Sequence, residues 1–154
     1  MKRGIYCLEG YWGYATCTEG ILRALRCQFD VQYAHLGPVT LSQFWEGIDF
    51  WTSDMGRKVP VLYLVFHGGP GHVLVGDETV TLKEISERIS DAGNKRTIHF
   101  GACSTLNLPP DEIQKFLCST NLKLITGYVS DVSVGAACLE DFRVLSGFFS
   151  RHGN

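Results

Sequence analysis

The stretch VPVLYLVFHGGPGH, at residues 59–72, decides the fold of this chain. Residues 59–66 are apolar at nearly every position, and a strand that is apolar on both faces is typical of the centre of a parallel sheet. The glycine- and proline-rich residues that follow are turn formers. The sequence therefore predicts a buried central strand, with His67 immediately after its end.

Strands and helices alternate on both sides of this segment. Short apolar runs predict four further strands, at residues 4–8, 31–36, 97–102 and 122–128. Residues 72–80 predict a hairpin with its turn at Gly76 and Asp77. Because alternating strands and helices build parallel sheets with helices on both faces, we predict an α/β three-layer sandwich. Its five-stranded sheet is mainly parallel, in the order 2-1-3-4-5, with the small β-hairpin after strand 3.

Residues that favour helix starts precede the predicted helices. Thr18, Thr40 and Thr81 are predicted N-caps, and Glu84 lies three residues after Thr81, as in a capping box. Proline suits the first turn of a helix, so the fourth helix is predicted to begin at residues 109–110. The fifth is predicted from residue 134 to about residue 149.

Composition limits the class of protein. The 154 residues are 45% hydrophobic and 19% charged, which indicates one well-cored domain spanning residues 1–154. The formal net charge is -2 without basic blocks, so we expect no nucleic-acid partner. No apolar run is long enough to span a bilayer, so we expect no membrane partner. Glu9 interrupts the N-terminal segment before a signal peptide could form, and we expect a cytoplasmic protein.

The six cysteines show no metal-binding pattern. None belongs to a C-x-x-C pair or to a Cys/His zinc spacing, so we expect no metal and no cofactor. Without a secretory signal we expect no disulfide framework. Free cysteine often behaves as a small buried apolar residue, and this is the expectation for Cys7, Cys27, Cys118 and Cys138.

A histidine and a cysteine follow the third and fourth predicted strands. In open α/β sheets the site lies beyond the carboxyl ends of the strands. His67 and Cys103 should therefore approach each other, because neighbouring strands lie about 4.8 Å apart. An imidazole activates a thiol, so we predict a catalytic pair, with the amides of Gly68 and Cys103 as an oxyanion hole. The alternative is a structural histidine and a buried thiol.

Rival candidates surround this pair. His72, in the hairpin, and His99, expected to pack under a helix, are alternative bases. The glycines after His67 could cradle a phosphate, but no Walker-type lysine follows them.

Three further residues are weaker substrate-binding candidates. Glu9 follows the first strand, where it could enter the site or be a solvated turn residue. Trp12, in an aromatic cluster with Tyr11 and Tyr14, could wall the site or pack on a helix. Asp131, after the fifth strand, could select a basic substrate side chain or cap the last helix.

The segments LYLVFHGGPGHVLVGDETVTLKEI and RTIHFGACST resemble caspase-like (clan CD) cysteine peptidases, a group that includes caspases, metacaspases, gingipains and separase. They are most similar to CHAT-type domains, in which a strand ending in His-Gly precedes a hairpin, a helix and a strand ending in a small residue and Cys. The resemblance implies a caspase-like fold with His67 as general base and Cys103 as nucleophile. It also implies peptide-bond hydrolysis through a thioester acyl-enzyme.

Two functions are consistent with the sequence. The first is a cysteine peptidase that acts on a peptide or protein substrate and has a regulatory protein partner. The second is a catalytically inactive caspase-like module that binds a protein partner or a small ligand.

Overall fold

The computed structural model describes residues 4–90, 92–93 and 95–150 of the chain. The predicted domain also includes the ends of the chain, 1–3 and 151–154, which lie outside the described residues. The strands are β1 (Gly4–Glu9), β2 (Gln32–Leu36), β3 (Val61–Val65), β4 (His67–Gly69), β5 (His72–Val75), β6 (Glu78–Thr81), β7 (Thr97–Gly101) and β8 (Leu124–Gly127). The α-helices are α1 (Thr18–Phe29), α2 (Leu41–Thr52), α3 (Leu82–Arg88), α4 (Pro110–Thr120) and α5 (Val134–Phe149).

Five strands form one parallel sheet in the order β2-β1-β3-β7-β8. This confirms the predicted order 2-1-3-4-5, since β4, β5 and β6 belong to a second, smaller sheet. The observed strands are one to three residues shorter or longer than predicted at their ends, where hydrogen bonding rather than hydropathy sets the boundary.

Alternate residues of the central strand β3 face two separate cores. Val61, Tyr63 and Val65 pack with residues of α1 and α5 on one face of the sheet. Leu62 and Leu64 pack with residues of α2, α3 and α4 on the other face. The chain is therefore a three-layer α/β sandwich, and the apolar character of β3 follows from its burial on both faces.

The small sheet contains the predicted hairpin and one additional strand. β5 and β6 pair antiparallel across the turn at Gly76 and Asp77. β4 pairs antiparallel with β5, placing His67 opposite Leu74. Sequence reading missed β4, because a three-residue strand with two glycines carries no hydropathy signal.

Two of the three predicted threonine caps are confirmed. Thr40 and Thr81 each form a capping box, the first with Gln43 and the second with Glu84. The prediction for Thr18 is wrong: the N-cap is Cys17, and the Thr18 hydroxyl donates to Glu9 instead, at 2.8 Å.

The cysteines depart from expectation. Cys17 and Cys138 form a disulfide, which corrects the prediction that disulfides are absent and that Cys138 is a free buried thiol. Helices α1 and α5 pack side by side, which brings two Cα atoms 121 residues apart in sequence to within 6.0 Å. Cys7 is buried as expected, but Cys27 and Cys118 are exposed.

Two leucines in different environments test the core assignment. Leu64 is 0% exposed in β3, whereas Leu74 is 36% exposed in β5. We expect Leu64→Ala to lower the free energy of unfolding by about 3–5 kcal/mol, because it leaves a cavity in the core. Leu74→Ala should cost about 1 kcal/mol or less. Urea unfolding followed by circular dichroism measures the loss of unfolding free energy in each variant. Equal losses would contradict the placement of Leu64 in the core and of Leu74 at the surface.

Candidate active site

The pairing of β3 with β7 places His67 and Cys103 at the same edge of the sheet. Val65 and Gly101 are directly paired in this parallel register. His67 and Cys103 each lie two residues beyond that pair. His67 is exposed at the start of β4, and Cys103 is half-buried in the loop after β7.

A close approach at Gly68 joins the two segments. A Cβ atom on Gly68 would lie 2.7 Å from Thr105 Oγ1 and 3.0 Å from Ala102 Cβ, so only glycine fits there. The amide of Gly71 donates to the carbonyl of Thr105 at 3.1 Å, which fixes the small sheet on this loop. Since Gly68 and Ala102 adjoin His67 and Cys103, these contacts hold the two predicted site residues in one region.

The loop after β8 determines the position of the Cys103 thiol. The amide of Val132 donates to Cys103 Sγ at 3.5 Å, and the thiol faces the Val132 carbonyl at 3.6 Å. Ser104 has a left-handed backbone with φ of 54°, which is uncommon for a residue with a side chain. Its amide donates to the Ser130 carbonyl at 3.1 Å, so the turn that carries Cys103 is fastened to the same loop.

Asp131 has a different position from the one expected for a helix cap. Its carboxylate accepts a hydrogen bond from the Ser104 hydroxyl at 2.6 Å. Ser133, not Asp131, caps α5, because its hydroxyl accepts from the Ala136 amide. The exposed Asp131 therefore holds the loop after β8 against the turn of Cys103.

A cavity of about 60 Å³ opens beside Cys103. Its lining is mostly aromatic and aliphatic, and includes Trp12, Tyr63, Tyr128 and Asp141. Trp12 also packs against His67, with ring centroids 4.0 Å apart. Trp12 therefore lines this cavity, and it also packs against the core between α1 and α5.

A buried network at the floor of the cavity escaped the sequence analysis. Asp141 is 4% exposed and accepts from the Tyr63 hydroxyl at 2.5 Å and from the Tyr128 hydroxyl. His99 Nε2 lies 2.9 Å from Asp141 Oδ1, and His99 Nδ1 lies 2.9 Å from Thr126 Oγ1. Both ring nitrogens of His99 therefore have hydrogen-bond partners. This indicates that His99 is a structural residue packed under α5 rather than the catalytic base.

Burial acts to raise the pKa of Asp141, but hydrogen bonding and charge from His99, with the hydroxyls of Tyr128 and Tyr63, lower this pKa below its usual value. The sequence did carry a signal for this residue. Asp141 lies four residues before Leu145 and eight before Phe149, on the buried face of α5, where a carboxylate requires partners.

Glu9 is a second buried carboxylate, which corrects the reading of it as a solvated turn residue. It is 7% exposed, and its Oε1 accepts from the hydroxyls of Thr16, at 2.6 Å, and Thr18, at 2.8 Å. Its Oε2 lies 2.7 Å from His35 Nε2. Burial acts to raise the pKa of Glu9, but these hydrogen bonds lower it overall. Glu9 thereby anchors the C-terminal end of the loop that carries Trp12.

Fold and site together define an α/β protein with a parallel five-stranded sheet and a histidine and a cysteine at its carboxyl edge. The chain belongs to DUF6642, a family of unknown function, whose model matches residues 2–149. A search of the curated proteins finds no match. Among the residues that the structure describes, no three His, Cys, Asp or Glu side chains are grouped as metal ligands.

Asp141→Asn tests the buried network. The folded-state pKa of Asp141 is lowered, so its contribution to stability is complete above about pH 4 and is lost as pH falls through the folded-state pKa. At pH 7 we expect the variant to lose about 3 kcal/mol of unfolding free energy, and this gap should narrow below about pH 4.

Urea unfolding at a series of pH values measures this gap. Glu140→Gln, the exposed neighbour on α5, is the matched control and should change stability by about 0.5 kcal/mol or less. A gap that stays constant into acid would contradict the assigned charge of Asp141.

Proposed function

We propose that this protein is a cysteine peptidase that hydrolyses peptide bonds with a dyad of His67 and Cys103. The observation that supports this most directly is the register of β3 and β7, which sets both residues two positions beyond the paired Val65 and Gly101. An exposed imidazole and a half-buried thiol at one sheet edge are the groups that nucleophilic catalysis requires. The resemblance to caspase-like peptidases of the CHAT type implies the same roles.

In this proposal the imidazole of His67 takes the thiol proton, and Cys103 Sγ attacks the peptide carbonyl carbon. The amides of Gly68 and Cys103 stabilise the oxyanion. His67 then gives its proton to the leaving amine, and a thioester remains on Cys103. Water, activated by His67, hydrolyses the thioester and frees the thiol. The steps involve no metal or cofactor.

The cavity beside Cys103 is suited to a substrate side chain next to the cut bond. Its aromatic and aliphatic lining, from Trp12 to Tyr128, offers apolar contacts, and the carboxylate of Asp141 lies at its floor. Glu9 holds Thr16 and Thr18, two residues of the cavity lining that follow Trp12 in the chain. Asp131 is bound to Ser104, so its proposed selection of a basic side chain would act from the rim.

Among the described residues no helix combines the length and the apolar character needed to cross a membrane. We further propose a cytoplasmic location and control by a regulatory protein partner. In the cytoplasm a disulfide such as Cys17–Cys138 is usually transient or redox-responsive rather than permanent.

A second candidate function is a catalytically inactive module that binds a protein partner or a small ligand in the cavity. One observation favours it: Cys103 lines the cavity, whereas His67 does not and packs instead on Trp12. If this arrangement persists when a peptide is bound, the thiol has no base.

Cys103→Ala tests the nucleophile. In a peptide-library cleavage assay the variant should lose about 10⁴-fold or more in kcat/KM, because no other group can form the acyl-enzyme. After incubation with a thiol-directed acylating probe, the mass of the variant should lack the adduct that the unsubstituted protein carries at Cys103. Cys118→Ala, at an exposed free thiol, is the control and should keep full cleavage. Unchanged cleavage by Cys103→Ala would overturn the assignment.

His67→Gln tests the base against its neighbour in the hairpin. Removing a general base should lower kcat by roughly 10²- to 10⁴-fold. His72→Gln, whose imidazole lies 3.2 Å from the Pro70 carbonyl, should keep kcat within about twofold. If His72→Gln is the inactive variant, the two histidines have been assigned the wrong way round. A complete absence of cleavage by the unsubstituted protein would favour the binding module.

A further inference from the structure

The cavity beside Cys103 is lined by residues of β3, of β7 and of the loop after β8, and by two further segments of the chain that form opposing walls. One wall comes from the loop after β1 and the start of α1, including Trp12, Tyr14 and Cys17. The opposite wall comes from α5, including Ala137 and Cys138. The width of the cavity between these two walls therefore depends on how the two segments are held together.

The Cys17–Cys138 disulfide joins the two walls covalently. Cys17 ends the loop that carries Tyr11, Trp12 and Tyr14 (the aromatic loop) and is the N-cap of α1. Cys138 lies three residues before Asp141, one turn along α5 from the carboxylate at the cavity floor. Both cysteines are half-buried and line the cavity, so the bond belongs to the site.

Each wall also has its own attachment to the sheet. Glu9, at the end of β1, holds Thr16 and Thr18 on either side of Cys17. On the other side, Asp141 holds α5 to Tyr63 of β3 and His99 of β7. These hydrogen bonds fasten each wall to the sheet, whereas the disulfide fixes the distance from one wall to the other.

We propose that the Cys17–Cys138 disulfide is a positioning element of the substrate cavity, and that its reduction weakens substrate binding without disabling the thiol of Cys103. The inference rests on the proposed peptidase function. The reductant is a dithiol: the bond between the two sulfurs breaks, each sulfur gains one hydrogen from the dithiol, and the dithiol leaves as a cyclic disulfide.

The structure separates this effect from the chemical step. The position of Cys103 is set by Val132 and by the turn at Ser104, through hydrogen bonds to the loop after β8. Neither contact involves Cys17 or Cys138. Reduction should therefore let the two walls shift relative to each other, Trp12 included, while the nucleophile keeps its place, which raises KM more than it lowers kcat.

The test uses a background in which the exposed thiols are removed, Cys27→Ser and Cys118→Ser. Alkylation and intact mass first establish whether Cys17 and Cys138 are joined. KM and kcat for the best library peptide are then measured across buffers of increasing reduced-to-oxidised dithiothreitol ratio. The same background with Cys17→Ser and Cys138→Ser serves as the form that lacks the bond permanently.

We expect full reduction to raise KM about tenfold, since two or more wall side chains lose their fixed positions, with kcat within about twofold. The Cys17→Ser/Cys138→Ser form should have the raised KM at every dithiothreitol ratio. An equal KM in the oxidised and reduced forms, or free thiols at Cys17 and Cys138 in the oxidised protein, overturns the inference.

Hydrogen exchange keeps the test decisive if the serine form fails to fold. In the reduced background protein, amides of residues 11–17 should exchange faster while those of β3 and β7 keep their protection. If no peptide is cleaved in any redox state, the peptidase proposal fails, and the hydrogen-exchange measurement alone then tests whether the disulfide positions the cavity wall. Unchanged exchange at residues 11–17 then overturns the positioning role as well.

Discussion

The parallel pairing of β3 with β7 is the constraint on which the rest of the molecule depends. It buries two apolar strands in the centre of the sheet and aligns Val65 with Gly101. Everything at the carboxyl edge follows from that alignment, because a slip of one residue would turn each side chain to the opposite face. His67 and Cys103 lie at the same edge of the sheet because their strands end in register, and glycine at position 68 allows the small sheet to lie against the turn of Cys103.

Features encoded locally could be predicted, and features created by packing could not. The apolar run at residues 59–66 correctly predicted the central strand, and Thr40 and Thr81 correctly predicted the starts of their helices. Each of these patterns lies within a few consecutive residues, so it can be read without knowing the tertiary structure. The disulfide required knowing that α1 and α5 are neighbours. Thr18 failed as a cap because Glu9, nine residues earlier, takes its hydroxyl. For the candidate site, the positions of His67 and Cys103 followed from strand ends, whereas the contact of Trp12 with His67 depends on tertiary structure.

Two buried carboxylates fasten the walls of the cavity to the sheet, and both are held by hydroxyls and a histidine. Glu9 fixes the aromatic loop to β1, and Asp141 fixes α5 to β3 and β7. A buried charge is tolerated only when donors replace the lost water, and here most of the donors, Thr16, Thr18, Tyr63 and Tyr128, line the cavity itself. The same hydrogen bonds that compensate for burial therefore also fix the walls of the cavity.

The disulfide also changes the covalent topology of the chain. Cys17 and Cys138 are 121 residues apart, so the bond turns most of the molecule, from α1 to the first half of α5, into a closed ring. A single backbone cut anywhere within that ring leaves one covalently continuous molecule for as long as the bond stays oxidised. The fragments can separate only after reduction. A cut in this region, made by the protein itself or by another protease, therefore leaves a single species on a denaturing gel until a reductant breaks the disulfide.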